Sequence, residues 1–275
     1  MIRKVGLVSR CDKPNAIAIA RDIIAYLGNR TDVFVDPCTA RKLNIEETQV
    51  SRMREKGVEI VITIGGDGTV LRTIQHMNDP IPILAINMGT LGFLVDVNVE
   101  DAKQTIDSVL SGFTVEERFR FNVWINNNLL PPATNEVVII TSQPAKMLGY
   151  RILIDDHELE QLRADGLIIA TPTGSTAYAM SAGGPIVDPK VDAMVVVPLA
   201  PFKLSSRPWA VPGQSVITVE LMLPDKEAQV VIDGQYFRNI AASDTIKIEK
   251  ASIPARFVHI KDDNIYDKVK KKLRQ

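Results

Sequence analysis

Val61-Ile62-Thr63-Ile64-Gly65-Gly66-Asp67-Gly68-Thr69-Val70-Leu71-Arg72 is the stretch on which the reading of the fold turns. A short apolar run leads into three glycines within four positions, and a helical pattern takes over from about residue 70 to 77. A buried strand that empties into a helix through a glycine turn needs a crossover before the next parallel strand, and that is the repeating unit of an α/β sheet. Glycine also removes side-chain bulk, so backbone N–H groups at the helix start can come close to a phosphate.

The same texture extends on both sides of the turn. Residues 5–8, 32–35, 59–64 and 81–86 read as strands, and residues 15–27 and 45–56 as helices between them. This predicts an α/β domain with a parallel sheet, Rossmann-like, over residues 1–112, with ligands beyond the carboxyl ends of its strands. After Gly112 the pattern shifts to β-type alternation at 118–126, 150–155, 216–223, 229–233, 245–250 and 256–261, punctuated by Pro, Gly, Asn and Asp. A β-rich, all-β, sandwich-like second domain is expected over 113–261. The last residues, 264–275, read as a basic helix with a solvated face, and the tail 262–275 is expected to pack back on the first domain.

Composition narrows the function classes. Hydrophobic residues make up 45 % and charged residues 24 % of the 275, as in an ordinary soluble globular protein. A net charge of -1 leaves no basic surplus for a nucleic-acid backbone or an anionic membrane, so neither is expected as a partner. No apolar run approaches the roughly 18 residues that span a bilayer. Cys11 and Cys38 lack metal-ligand spacing, and so sparse a count argues against a disulfide framework, which makes a reducing cytoplasm the expected setting. His76, His157 and His259 are scattered and do not suggest a zinc site.

The glycine turn is no Walker A loop, because no Lys-Ser/Thr pair follows it, and it lacks the Gly-x-Gly-x-x-Gly spacing. Some other cation must therefore balance phosphate charge, either Arg72 or a divalent metal. A carboxylate among phosphate-binding amides repels the anion unless it has a task, so Asp67 is a candidate to take a proton from a hydroxyl or to hold a metal; the plainer reading is a surface aspartate. In the loop Asn87-Met88-Gly89-Thr90-Leu91-Gly92-Phe93, the Phe93 ring could stack on a base or seal a hinge.

Two segments are unusual for a β domain. Asn135-Glu136 sets an amide beside a carboxylate, a pair that can grip vicinal ribose hydroxyls, although alone it reads as a turn. Residues 165–185 run from a short apolar strand (Leu167-Ile168-Ile169-Ala170) into a hydroxyl-rich glycine turn (Thr171-Pro172-Thr173-Gly174-Ser175-Thr176), a brief helix and a Gly183-Gly184-Pro185 stop.

With those residues in view, the chain resembles the NAD kinase family. The resemblance rests on Gly65-Gly66-Asp67-Gly68-Thr69, Asn135-Glu136 and the 165–185 stretch, with lesser support from Pro198-Leu199-Ala200-Pro201 and Asp233-Gly234-Gln235, and covers most of the chain in the family's order. Diacylglycerol-type lipid kinases and phosphofructokinases carry similar glycine turns, so the specificity lies in the combination. The resemblance implies that Asp67 is the catalytic base and that Gly68 and Arg72 lie against the phosphates, in a turn with Gly65, Gly66 and Thr69. It implies that Asn135 and Glu136 hold ribose hydroxyls and that Asp165 contacts the nicotinamide end. Thr176, Ala177, Tyr178, Ala179, Met180 and Ser181 would line the dinucleotide pocket, with Lys146, Arg163, Ala200 and Gln235 as further contacts. Many relatives have Asn-Asp at the ribose pair, so Glu136 reaches one methylene further.

The activity so implied is transfer of a phosphoryl group from ATP, or another donor such as polyphosphate, to the 2′-hydroxyl of the adenosine ribose of NAD. It would use Mg²⁺ or Mn²⁺ and a homodimer or homotetramer, with no residue assigned as a metal ligand. Two other readings share parts of the pattern: a lipid or sugar kinase with the same glycine turn, and a non-catalytic NAD(H)-sensing module.

Overall fold

The computed structural model describes residues 2–89, 92–95, 97–143, 145–222, 226–260 and 265–273. The chain divides into two compact units, Met1–Glu117 with Ala255–Gln275, and Arg118–Pro254. In the first, Asp32–Val35, Lys4–Ser9, Ile60–Gly65 and Ile83–Asn87 lie side by side as parallel strands, and Ile83–Asn87 also pairs in parallel with Val97–Asn98 and Ala255–Val258. The strands are apolar almost throughout because both faces are covered. One face, with Leu7, Ile62 and Ile86, packs on helices Pro14–Leu27 and Ala102–Ser111; the other, with Val8, Val61 and Ala85, packs on helix Asp67–Gln75.

Several elements differ from the sequence reading. No helix spans 45–56: the chain forms a helix at Pro37–Leu43 and a single 3-10 turn at Val50–Arg52. The stronger signal is the cap, since the Asp36 carboxylate accepts from the Cys38 and Thr39 N–H groups, Pro37 takes the first turn, and Asn44 at φ 56 closes the helix. Helix Ala102–Ser111 goes beyond the elements expected. Ala255–Val258 pairs with Ile83–Asn87, so this strand joins the first unit's sheet, whereas the sequence reading grouped it with the β-rich region. Cys11 and Cys38 are paired in a disulfide, a single bridge and not a framework. They are 27 residues apart in sequence, but the end of strand Lys4–Ser9 and the start of helix Pro37–Leu43 bring their Cα atoms to 6.1 Å. Among the described residues no helix is long and apolar enough to cross a membrane.

The second unit is an antiparallel β-sandwich of two six-stranded sheets. Phe121, Val123 and Ile248 of one sheet and Val137, Ile139 and Ile169 of the other meet in a shared core. In the second sheet, Ala193–Leu199, Gly166–Ala170, Glu136–Thr141 and Ala228–Ile232 are consecutive neighbours. Its outer face is covered too, because Val138, Ile168, Ala170 and Val195 pack with Ala179 of the short helix Tyr178–Ser181. That second layer explains why Leu167-Ile168-Ile169-Ala170 is apolar without alternation.

Candidate functional site

In the first unit the glycine turn stands at the carboxyl end of strand Ile60–Gly65, and the helix begins at Asp67 rather than near residue 70. Gly65 is required by the protein itself, because a Cβ there would run into the Thr69 side chain. Gly66 and Gly68 are not: a Cβ at either would stand in open space. The space above the first helical N–H groups, which have no acceptor inside the helix, is thus clear for an anion. Arg72 lies one turn beyond Gly68 on the same helix face and borders a cleft of about 300 Å³ with Gln49, Ser51 and His76.

Asp67 is half-buried and held from one side: its two carboxylate oxygens accept from the N–H groups of Phe93, at 2.9 Å, and Leu94, at 3.0 Å. Gly92 permits this, since a Cβ at that position would collide with the Asp67 carboxylate. Each oxygen keeps lone-pair capacity for a further partner. Phe93 thus meets Asp67 through its backbone, while Thr90 and Leu91 of the same loop lie outside the described residues.

In the second unit three separated motifs converge at one end of the sheet. Asn135 and Glu136 enter strand Glu136–Thr141, and each is only 7 % exposed. Among the described residues, Thr134 Oγ1, Asn135 Oδ1 and Glu136 Oε2 are buried with no partner. Three such oxygens on successive residues demand a bound partner, because an unmade buried hydrogen bond is expensive. The 165–185 motif supports this turn: the Thr171 N–H donates to the Asn135 carbonyl at 2.8 Å and the Thr171 hydroxyl to the Thr134 carbonyl at 2.7 Å. Gly174 is pressed so closely against the Asn135 carbonyl that no Cβ fits. The Tyr178 N–H donates to the Glu136 carboxyl, and the Tyr178 side chain is 40 % exposed beside it.

The third motif supplies Asp233, 5 % exposed at the tip of the hairpin that joins Ala228–Ile232 to Tyr236–Ile240. Its carboxylate accepts from three successive N–H groups, Thr134 at 2.8 Å, Asn135 at 2.7 Å and Glu136 at 3.1 Å. Burial nevertheless wins and pushes Asp233 up to about 6, while the N–H groups and the charge of buried Arg120 pull the other way. Burial, and then the Asp233 charge, push Glu136 up to about 8.

The remaining site candidates fall at two places. Thr176 closes the 3-10 turn, Ala177 links it to the helix carrying Tyr178, Ala179, Met180 and Ser181, and Gln235 sits in the Asp233 hairpin; all belong to the Glu136 end. Asp165 is at the other end of strand Gly166–Ala170, bonded to the Leu199 carbonyl next to Ala200, with Arg163 bonded to Phe202 through the backbone and Lys146 in the turn after Thr141. Five strand residues separate the two ends, roughly 17 Å. A ligand touching both sets must run along the strand, or two copies of the chain must share them. Sequence reasoning missed Asp233, Thr171 and Gly174 as supports. Asp233-Gly234-Gln235 was read only as lesser support for the family resemblance, because the turn that Asp233 braces lies 97 to 99 residues away in sequence.

For a divalent metal, no group of three or more His, Cys, Asp or Glu side chains among the described residues could cage one.

An anion-ready glycine turn with an adjacent carboxylate, and a buried amide and carboxyl with unpartnered oxygens, are parts of the kind a phosphotransferase acting on a sugar alcohol needs. Comparison with known proteins narrows that class. Residues 5–113 match the model of the ATP-NAD kinase N-terminal domain and residues 134–260 that of the ATP-NAD kinase C-terminal domain. The chain is 54 % identical over 272 residues to an NAD kinase of Methanosarcina acetivorans, covering 99 % of both chains, and 46 % identical over 273 residues to that of Methanothermobacter thermautotrophicus, covering 98 % of this chain and 96 % of the other. A crystal structure of an Archaeoglobus fulgidus NAD kinase in complex with ATP superposes with a TM-score of 0.82 at 28 % identity, covering 98 % of each chain. That of a yeast NADH kinase complexed with NADH reaches 0.92 at 24 % identity, covering 99 % of this chain and 88 % of the other, and shows the shared fold. The chain belongs to the NAD kinase family.

Proposed function

We propose that the chain converts NAD to NADP by phosphorylating the 2′-hydroxyl of the adenosine ribose, with Asp67 as general base and Asn135 and Glu136 as the grip on ribose hydroxyls. The observation that carries the reading is the run of unpartnered buried oxygens at 134–136, ringed by the motifs that name the family. A diol satisfies such groups by donating to the Asn135 amide carbonyl and exchanging a hydrogen bond with the Glu136 carboxyl, which, pushed up to about 8, carries its own proton near neutral pH, and the exposed Tyr178 ring beside them offers a flat apolar surface to a base.

In the step itself the 2′-oxygen forms a bond to the terminal phosphorus of ATP while the bond to the leaving oxygen breaks, and the hydroxyl proton goes to Asp67. The N–H groups at the start of helix Asp67–Gln75 hold the phosphoryl oxygens, and Arg72 balances their charge. Mg²⁺ or Mn²⁺ supplies charge neutralisation on the donor phosphates. Phe93, whose N–H fixes Asp67, acts through that contact. Lys146, Arg163, Asp165 and Ala200 serve the far end of the dinucleotide, either along the strand or from a second copy in a homodimer or homotetramer. A cytoplasmic setting, where NAD and ATP are at hand, completes the reading.

The assay supplies NAD, Mg²⁺ and either ATP or polyphosphate and detects NADP with an NADP-specific dehydrogenase. NADP formation with at least one donor is expected. Glu136→Ala should raise KM for NAD about tenfold with little change in kcat, as loss of a buried hydrogen bond does. Unchanged KM and NAD dissociation constant in that variant would contradict the ribose grip. Light scattering at twice or four times 30.3 kDa tests the oligomer, and a monomer would remove it.

A further inference from the structure

Asp233 is a costly way to make a hairpin. The tip needs a residue comfortable at φ 50 followed by Gly234 at φ 63, and an asparagine pointing into water meets that need. Here the carboxylate turns inward, is 5 % exposed, and shares its surroundings with Arg120, itself 1 % exposed. Burying two charges is unfavourable in itself and does not account for the choice of residue. What the carboxylate does is gather three consecutive N–H groups, which requires the backbone at 134–136 to curl around one anion. A backbone hydrogen bond returns the other way, from the Asp233 N–H to the Glu136 carbonyl at 3.1 Å, so hairpin and turn are locked together.

We propose that Asp233 is a positioning residue for NAD: it touches no substrate and acts through the 134–136 turn, whose curvature presents the Asn135 and Glu136 oxygens to the ribose. This rests on the ribose grip proposed above and adds to it the group that holds the grip in shape. With both oxygens spent on N–H groups, Asp233 has little capacity left for a ligand. Asp233→Asn tests the idea. The amide oxygen can keep the Asn135 and Glu136 N–H groups, but the NH₂ then faces the Thr134 N–H, donor against donor.

Steady-state kinetics of the whole enzyme should show KM for NAD raised about ten- to a hundredfold, with kcat within about threefold and KM for the donor unchanged. In a Glu136→Ala background the same substitution should raise KM for NAD by less than about threefold, because much of what it positions is gone. A merely structural role gives equal increases in both backgrounds and overturns the proposal, as does an unchanged KM. Should Asp233→Asn not fold, the wild type decides at saturating donor between about pH 5 and 7. Protonation of Asp233, pushed up to about 6, must then raise KM for NAD as pH falls, and a flat profile overturns the proposal. The charged and titratable groups acting on this pair are Arg120 on Asp233 and Asp233 on Glu136, with the 134–136 and Tyr178 N–H groups opposing. A wild type that makes no NADP removes the ribose grip and this inference with it. An active wild type with an indifferent Asp233→Asn removes the positioning role alone.

Discussion

Asp67 and Asp233 use one device for two purposes. Each carboxylate accepts from consecutive backbone N–H groups, Phe93 and Leu94 for the first and Thr134, Asn135 and Glu136 for the second. The difference is in what is left over. Asp67 is half-buried at a helix start, with two donors and lone pairs to spare, so it is aimed yet able to take a proton. Asp233 is sealed, with three donors, so its charge is used up in shaping a neighbouring turn. Fixing by amides alone therefore does not mark a reacting acid; spare capacity with access to solvent does.

The sharpest way to break the contrast is Asp67→Asn. It should lower kcat by at least about a hundredfold while leaving the fold intact, because a general base typically contributes that much or more. A folded, nearly fully active variant would strip Asp67 of its role.

Gly174→Ala probes the other side. Its Cβ meets the Asn135 carbonyl, and overpacking of that kind costs about 1–3 kcal/mol, so denaturant melts should show a loss of that size together with a raised KM for NAD. Unchanged stability would mean that the turn can give way, and would weaken the view of it as a rigid grip.

Glu136→Gln adds a pH test. A carboxyl raised to about 8 holds its proton in the folded state where the unfolded chain has lost it. Its contribution to stability is therefore complete below the ordinary carboxylate range and is lost as pH rises through about 8. The variant should be several kcal/mol, at most about 5, more stable than wild type near pH 9 and close to it near pH 5. Equal differences at both pH values would show that Glu136 is not the group that titrates.

The smallest expected shift in stability is in Gly68→Ala. Within the first turn of a helix and with open space around its Cβ, alanine should add up to about 1 kcal/mol of stability, while KM for the donor rises because the methyl group stands in the path of the phosphate. If the donor KM stays put, the glycine was not kept clear for an anion.

Much of this molecule was legible before its coordinates. Continuous apolar runs such as Val61 to Ile64 announced strands covered on both faces, and the apolar residues of Pro14–Leu27 recur at helical spacing. Where periodicity was weak, capping chemistry decided instead, as Asp36-Pro37 did in moving a helix to Pro37–Leu43. The strand Ala255–Val258 has the same local texture as its neighbours in sequence, and its partner could not be read from it.

By itself the sequence determined the glycine turn, the alternation that separates an α/β region from a β-rich one, and the order of motifs that marks the family. Those are properties of short segments, set by side-chain bulk, period and local hydrogen bonding. The tertiary structure alone decided that Asp233 faces Thr134, Asn135 and Glu136, 97 to 99 residues away, and that Asp165 stands at the opposite end of a strand from Asn135 and Glu136. The physical reason is register: which residues meet across a sheet follows from how distant strands align to bury their apolar faces together, and no local preference encodes that alignment.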